Sequence, residues 1–295
     1  MRIRVNRFRL ASPKIAKSMK VLAMSDVHNN QMAFAGLLKL VKQEKPDYVC
    51  LAGDTLDRTD CDVSQLIDWL KSLSKMTTVV VGLGNHEMAT CGFWPRRIKA
   101  GENLDFYAAV RKIKNCVLLR DTFGTFEAKG NVTFSALNMP ETWYAGRETQ
   151  AEFLEVLGTI PARALRKKRF NVMLSHSPNG WLAGGKLLSR GDVEILGKLD
   201  LIISGHNHGG LVPVVLRPLL MNHGFIGPKY KLFQPHAFGS WTDGETSLIL
   251  SNGVTKFAET SGLAAAGRFL NKLYVPDVEV IELIPDDEYS CLCLR

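Results

Sequence analysis

Cysteine is sparse in this chain, with six in 295 residues, at positions 50, 61, 91, 116, 291 and 293. No two of them have the paired spacing of a zinc ribbon, and the number is too small for a disulfide framework in a chain of this length. A reducing compartment follows as the expectation. Long apolar runs are also missing: none approaches the ~20 residues that a membrane-spanning helix requires. The N-terminus is basic but lacks the apolar core of a secretory signal. Internal repeats, low-complexity tracts and a dividing linker are absent too. The expectation is a cytoplasmic protein, with membrane association left open by a segment described below.

What remains is an ordinary globular composition, 46% hydrophobic and 22% charged, with a formal net charge of +8. The excess positive charge gathers in two places, Arg2 to Lys20 and Arg163 to Arg169. Either could attract a phosphate-rich surface, but a solvated arm and a solvated helix end account for both. No basic stripe with interleaved aromatics of the single-strand-binding kind occurs, which argues against nucleic acid as a partner.

Apolar runs alternate with helical periodicity. Lys20–Ser25, Tyr48–Ala52 and Thr77–Val81 read as buried strands, separated by helices over 32–41 and 63–73. This βαβα order implies parallel strands covered by crossover helices. A helix over 104–113, a strand at 117–119, a hairpin of 124–128 with 131–137 and a helix over 149–157 come next. Two further buried strands, Phe170–Leu174 and Leu199–Ser204, precede strand-like stretches at 246–250, 254–257 and 278–284. The economical architecture is α/β: two packed mixed β-sheets flanked by helices. In domain terms this is a basic arm over 1–19, a single domain over 20–285 and a tail over 286–295.

One stretch, 211–240, mixes proline, glycine, aromatics and a few basic residues without a steady period. It is too long for a typical connection. A lid or surface-seeking flap over the site and a packed excursion covering a sheet edge are both open readings. The first brings with it the expectation of a peripheral membrane contact.

Five short polar clusters each follow one of the buried strands. They are Ser25-Asp26-Val27-His28, Gly53-Asp54-Thr55-Leu56-Asp57, Gly84-Asn85-His86-Glu87, Ser175-His176-Ser177-Pro178 and Gly205-His206-Asn207-His208, and they hold five of the seven histidines. In extended backbone, residues two apart point the same way, so Asp26 with His28, and His206 with His208, can each reach into one cavity. If the strands are parallel neighbours, their C-terminal ends converge at one edge, where open α/β sheets place their sites. Nitrogen and oxygen donors gathered there suit two metal ions and the hydrolysis of a phosphate ester. Gly82-Leu83-Gly84 lacks the third glycine of a dinucleotide loop and serves a tight turn instead.

In their order the clusters resemble the calcineurin-like metallophosphoesterase superfamily, whose motifs run D-x-H, G-D-x-x-D, G-N-H-E, H and G-H-x-H. The resemblance spans residues 26–208 and implies a four-layer αββα sandwich of the metallophosphoesterase type. Carried over position by position, it implies that Asp26, His28 and His208 hold one metal, that Asn85, His176 and His206 hold a second, and that Asp54 bridges them. His86 would face the scissile phosphate, oriented by Asp57. With Asp26 and Asp54 as the only anionic ligands, two dications leave 4 − 2 = +2, reduced to +1 by a bridging hydroxide and still attractive to a phosphate ester. Such mixed donors suit manganese, iron or zinc better than calcium or magnesium.

The resemblance implies a dinuclear phosphoesterase in which metal-bound hydroxide attacks a mono-, di- or pyrophosphate ester. His86 either stabilises charge on the phosphate or protonates the leaving group. The physiological substrate stays undefined. Two alternatives are a non-catalytic metal-binding scaffold on the same fold and a nuclease. Arg58 and Asn29 adjoin ligand positions and His223 and His236 lie in the flap; each is either a substrate contact or a packed or solvated side chain.

Overall fold

The structure is a computed structural model and describes residues 3–57, 63–88, 102–146, 148–188, 193–228, 232–255 and 275–287. Two six-stranded mixed sheets face one another. The first contains β1 (Arg4–Ala11), β2 (Met19–Met24), β3 (Tyr48–Ala52), β4 (Thr78–Gly82), β5 (Cys116–Leu118) and β14 (Asp277–Ile284), in the order β1-β14-β2-β3-β4-β5. The strands from β2 to β5 are parallel, as the crossover order requires, and β14 runs antiparallel to β2. The second contains β6 (Phe123–Glu127), β7 (Val132–Leu137), β8 (Phe170–Leu174), β11 (Leu201–Ser204), β12 (Gly239–Thr242) and β13 (Ser247–Leu250), in the order β12-β13-β11-β8-β7-β6. A two-stranded ribbon, β9 (Leu182–Ala183) and β10 (Lys186–Leu187), stands apart.

Alternation along each strand divides the core into layers. Val21, Ala23, Cys50 and Val80 point from the first sheet onto Phe134, Ala136, Val172, Leu174, Leu201 and Ile203 of the second. Their neighbours Leu22, Met24, Val49, Leu51, Val79 and Val81 turn outward under α1 (Gln31–Glu44), α2 (Ser64–Ser74) and α4 (Glu102–Arg111). Met173, Ile202 and Leu248 lie under α5 (Glu141–Ala145) and α6 (Gln150–Gly158). The result is the αββα sandwich. Lys45 closes α1 in the left-handed region, its N–H donating to Val41 O at 2.9 Å, and Pro46 prevents continuation.

Two expectations change. The five strands that precede the clusters are not neighbours in one sheet: β2, β3 and β4 belong to the first, β8 and β11 to the second. Their C-terminal ends still converge, because the two sheets meet along that edge. Residues 4–11, expected as a solvated arm, form the edge strand β1 in parallel register with β14. Alternation of half-buried and exposed positions supports a strand there, and two of its three arginines are ion-paired. Arg7 pairs with Glu44 at 2.7 Å and Arg9 with Glu282 at 2.8 Å. In the second basic stretch, Arg166 and Arg169 share Glu127.

The strand expected over 254–257 is instead irregular at 251–255, and its remainder lies outside the described residues. Cys50 and Cys116 are free thiols; burial pushes Cys116 up to about 12 and Cys50 higher still. The other four cysteines, Arg58 and the chain beyond 287 lie outside the described residues. No helix among those described is long and apolar enough to cross a membrane.

Candidate metal centre

Left-handed backbone recurs in the polar loops. Asp26, His28, Asn29, Asp54, His206 and His208 all have φ between 45° and 72°. Asn, Asp and His tolerate this region better than other side-chain-bearing residues, and such strain gathers where a site needs donors aimed inward. Two glycines allow the loops to close on one another. Gly53 has φ 86°, and a Cβ there would lie 2.7 Å from the His176 ring. At Gly205, a Cβ would collide with Ser25 and with the Asp26 carboxylate. Loops from opposite sheets are thereby brought into contact.

Within this junction, ligand-type atoms form three overlapping groups: Asp26, His28 and His208; Asp54, His176 and His206; and His28, Asp54 and His86. Asp54 Oδ2 lies 3.1 Å from His176 Nε2, 3.7 Å from His86 Nε2 and 3.9 Å from His28 Nε2. Asp26 Oδ1 lies 3.3 Å from His208 Nε2, 3.7 Å from His28 Nε2 and 3.8 Å from His176 Nε2. Asn85 is buried at the start of α3 (Asn85–Met88). Asp57 Oδ1 stands 3.7 Å from His86 Nδ1, which lies 3.2 Å from His28 Nδ1.

Each carboxylate divides its two oxygens. Asp26 Oδ2 accepts from Ser25 Oγ at 2.6 Å and from the His206 N–H at 3.0 Å, whereas its Oδ1 is buried without a hydrogen bond. Asp54 Oδ1 accepts the His86 N–H at 2.8 Å, and Oδ2 faces the imidazoles. His28 Nε2 is likewise buried with no hydrogen bond. Buried polar atoms without partners are costly, and donors this close together fit a cation better than one another.

The rings are aimed from behind. His176 Nδ1 donates to Ala52 O at 2.9 Å and His208 Nδ1 to Thr255 O at 3.1 Å. A carbonyl partner places the proton on Nδ1 and leaves Nε2 as the inward lone pair, the arrangement that supports ligating histidines. His206 is turned the other way, with Nε2 3.0 Å from Glu148 Oε1. Glu148 Oε2 accepts from Ser177 Oγ at 2.9 Å and Asn179 Nδ2 at 2.5 Å.

Burial would raise both aspartates, but His208 and His176 for Asp26, and His176 and His86 for Asp54, hold each well below the usual carboxylate range. Burial would lower His176, yet Asp54 and Asp26 reverse this and raise it to about 10. The carboxylates therefore draw positive charge into a buried junction, by protons if not by metal. Glu148 is pushed up by burial and pulled down further by His206, to about 2.

A profile of the calcineurin-like phosphoesterase family matches residues 19–210, which contain all five clusters. The chain belongs to this family. It is therefore a metal-dependent hydrolase of phosphate esters. An uncharacterized metallophosphoesterase of Aquifex aeolicus is 24% identical over 216 residues, covering 71% of each chain. One from Campylobacter jejuni is 21% identical over 239 residues, and the match spans 78% of this phosphoesterase and 56% of the relative. Among solved structures, a dimetal phosphatase from Danio rerio aligns at 13% identity with a TM-score of 0.46, over 81% of this chain and 88% of that one.

All nine expected site residues lie in these loops, and eight of them bring side-chain donors within 4 Å of another member of the set or into a ligand group. Asn85 is the ninth, buried next to His86 in α3. Of the flap histidines, His223 is exposed and His236 packs edge-on against Trp241.

Three supports were not anticipated from the sequence. Glu87 gathers the N–H groups of Asp54, Leu56 and Gly84 at 2.7–2.9 Å, tying two loops together. Burial and then Asp54 push its carboxyl up to about 7. The turn at 251–255 backs the first loop, with Val254 N donating to Ser25 O, Thr255 N to Asp26 O and Thr255 Oγ1 to Val27 O. Glu148 is the third. Ser251-Asn252-Gly253 follows the apolar run of β13 as the five clusters follow theirs, so that turn carried a readable signal. Glu148 carried none, since its partner His206 is 58 residues away.

Proposed function

We propose that this phosphoesterase uses two divalent ions, one held by Asp26, His28 and His208, the other by Asn85, His176 and His206, with Asp54 shared between them. The observation that supports it most is the reach of Asp54 Oδ2, which lies 3.1 Å from His176 Nε2 in one set and 3.9 Å from His28 Nε2 in the other. Two dications this close repel strongly, and a shared carboxylate is what lowers that cost. When bound, manganese, iron or zinc would acidify water and polarise the phosphoryl oxygens.

The chain's own residues do the remainder. Asp26 and Asp54 spend one oxygen each on the backbone and so present the other in a set direction. Ala52 O and Thr255 O keep the protons of His176 and His208 on the outward nitrogens. His86 sits at the edge of this set with Asp57 behind it, placed to stabilise charge on the phosphate or to protonate the leaving oxygen. Ion pairing of Arg7, Arg9, Arg166 and Arg169 supports an ester other than a polynucleotide as substrate.

The test is turnover of aryl phosphomonoesters and phosphodiesters after reconstitution with each metal, with metal content measured on the same samples. About two equivalents bound together with hydrolysis is the expected result. Less than one equivalent with no turnover of either ester would leave a scaffold rather than an enzyme.

A further inference from the structure

Eight large hydrophobic side chains are exposed among the described residues, and six of them fall between 215 and 233. Met32 lies in the first turn of α1, just after the Asp26–His28 loop, and Val215, Leu216, Leu219, Met221, Leu232 and Phe233 follow the His206–His208 loop. All seven thus follow loops of the metal centre. Met76 alone does not, and lies in the turn between α2 and β4. Singly exposed apolar residues need no explanation, but a cluster around the mouth of a site does.

The turn at Val214–Leu219 is inverted in polarity. Val215 is 82% and Leu219 77% exposed, whereas Arg217 points inward, its guanidinium 5.0 Å from the Phe238 ring. A water-facing turn would place these the other way round. The segment is nevertheless anchored. Val212, Ala237 and Phe238 form a small core beneath it, Phe225 N donates to Gly210 O at 2.8 Å, and Asn207 Nδ2 donates to His236 O at 2.8 Å. Met221 at 84% and Phe233 at 72% exposure therefore project from a packed base joined to the metal-centre loop.

Charge decides what this face meets. Between Asp200 and Asp243 the sequence has no acidic residue, and besides the inward-facing Arg217 it has Lys229 and Lys231, while the whole chain carries +8. A second copy would bring two acid-free segments together in chains of the same positive net charge, which opposes self-association. An anionic bilayer offers both an apolar layer for the side chains and opposite charge at its surface.

We propose that this face docks on an anionic lipid surface, with Val215, Leu216, Leu219, Met221, Leu232 and Phe233 entering the interface, so that the metal centre meets its phosphate ester at headgroup level. The substrate class that follows is an amphiphilic phosphate ester with its apolar part in the bilayer. The substrate statement rests on the phosphoesterase reading above; the docking statement does not.

The test is sedimentation of the full chain with vesicles of phosphatidylglycerol and phosphatidylcholine, against phosphatidylcholine alone, for the wild type and for L219S/M221S/F233S. Expected are binding to the anionic vesicles that weakens as salt is added, and a loss of affinity of about a hundredfold in the triple variant. Metal content and turnover of a soluble aryl phosphate should be unchanged in that variant. Equal vesicle binding by variant and wild type, or none by either, overturns the docking. So does a wild-type dimer, lost in the variant, without affinity for vesicles. Vesicle binding by a protein that neither holds metal nor turns over aryl phosphate would sink the phosphoesterase reading and leave the docking standing.

Discussion

Glu148 is the residue whose removal most sharply separates aiming a ligand from being one. It stands behind His206, not among the inward-facing atoms, and its second oxygen is committed to Ser177 and Asn179. In Glu148→Gln the side chain keeps its length but has only one acceptor oxygen for three donors, so either the His206 bond or the Ser177–Asn179 pair is lost. A charge-assisted hydrogen bond of this kind contributes about 1.5–3 kcal/mol. Loss of a carboxylate behind a ligating histidine typically weakens metal binding about 10–100-fold, or about 1.4–2.8 kcal/mol, so the two routes agree. The effect should be confined to one metal, because His208 is held by Thr255 O, which the substitution does not touch. Calorimetric titration of the metal-free protein with zinc or manganese should resolve one unchanged and one weakened equivalent. A second readout is stability against pH. A carboxyl lowered from 4.5 to about 2 stabilises the fold above 4.5, and that contribution disappears as pH falls through about 2. Wild type should therefore exceed Glu148→Gln by up to about 3 kcal/mol near neutrality, with the gap closing in acid. Two unweakened equivalents in Glu148→Gln would refute the positioning role.

Three further outcomes follow from the same geometry. His86→Ala should retain both metals while turnover falls about 10²–10⁴-fold; the loss should be greater for poor leaving groups if His86 donates a proton, and metal loss would show that it is a ligand. Metal and proton compete for His176, raised to about 10 in the metal-free protein from 6.5, so the stability its charge contributes is complete below 6.5 and is lost as pH rises through 10. Loading near neutral pH should release protons, and affinity should climb toward pH 10; titration in buffers of different ionisation enthalpy measures this, and no buffer dependence would contradict it. Gly53→Ala places a Cβ 2.7 Å from the His176 ring at a φ of 86°, and should cost about 1–3 kcal/mol in thermal or denaturant unfolding and reduce metal content.

Much of the fold was legible because its central strands are buried on both faces and their sequences are nearly continuous apolar runs. Tyr48–Ala52 is buried at every position and was read to the residue. The edge strand β1 was not, because alternating arginines on a half-exposed strand look like a solvated arm until β14, over 270 residues later, supplies the register. Site residues showed themselves wherever a rare donor followed a buried strand. Glu87 stood in plain view within a cluster, yet its role as a clamp on three backbone N–H groups depends on where the Asp54 loop runs.

By itself the sequence determined the donor set: which aspartates, histidines and asparagine are present, and that each follows a strand end that must be polar. Periodicity and residue type are local properties, and local physics suffices to read them. Tertiary structure decided the rest. It placed the five strands in two sheets instead of one, turned Asp54 toward His176 and His28, put Glu148 behind His206, and left Val215, Leu219, Met221 and Phe233 exposed in the segment that follows the His206–His208 loop. Those depend on which distant surfaces meet, and no local pattern encodes a contact between residues that become neighbours only when both sheets have packed.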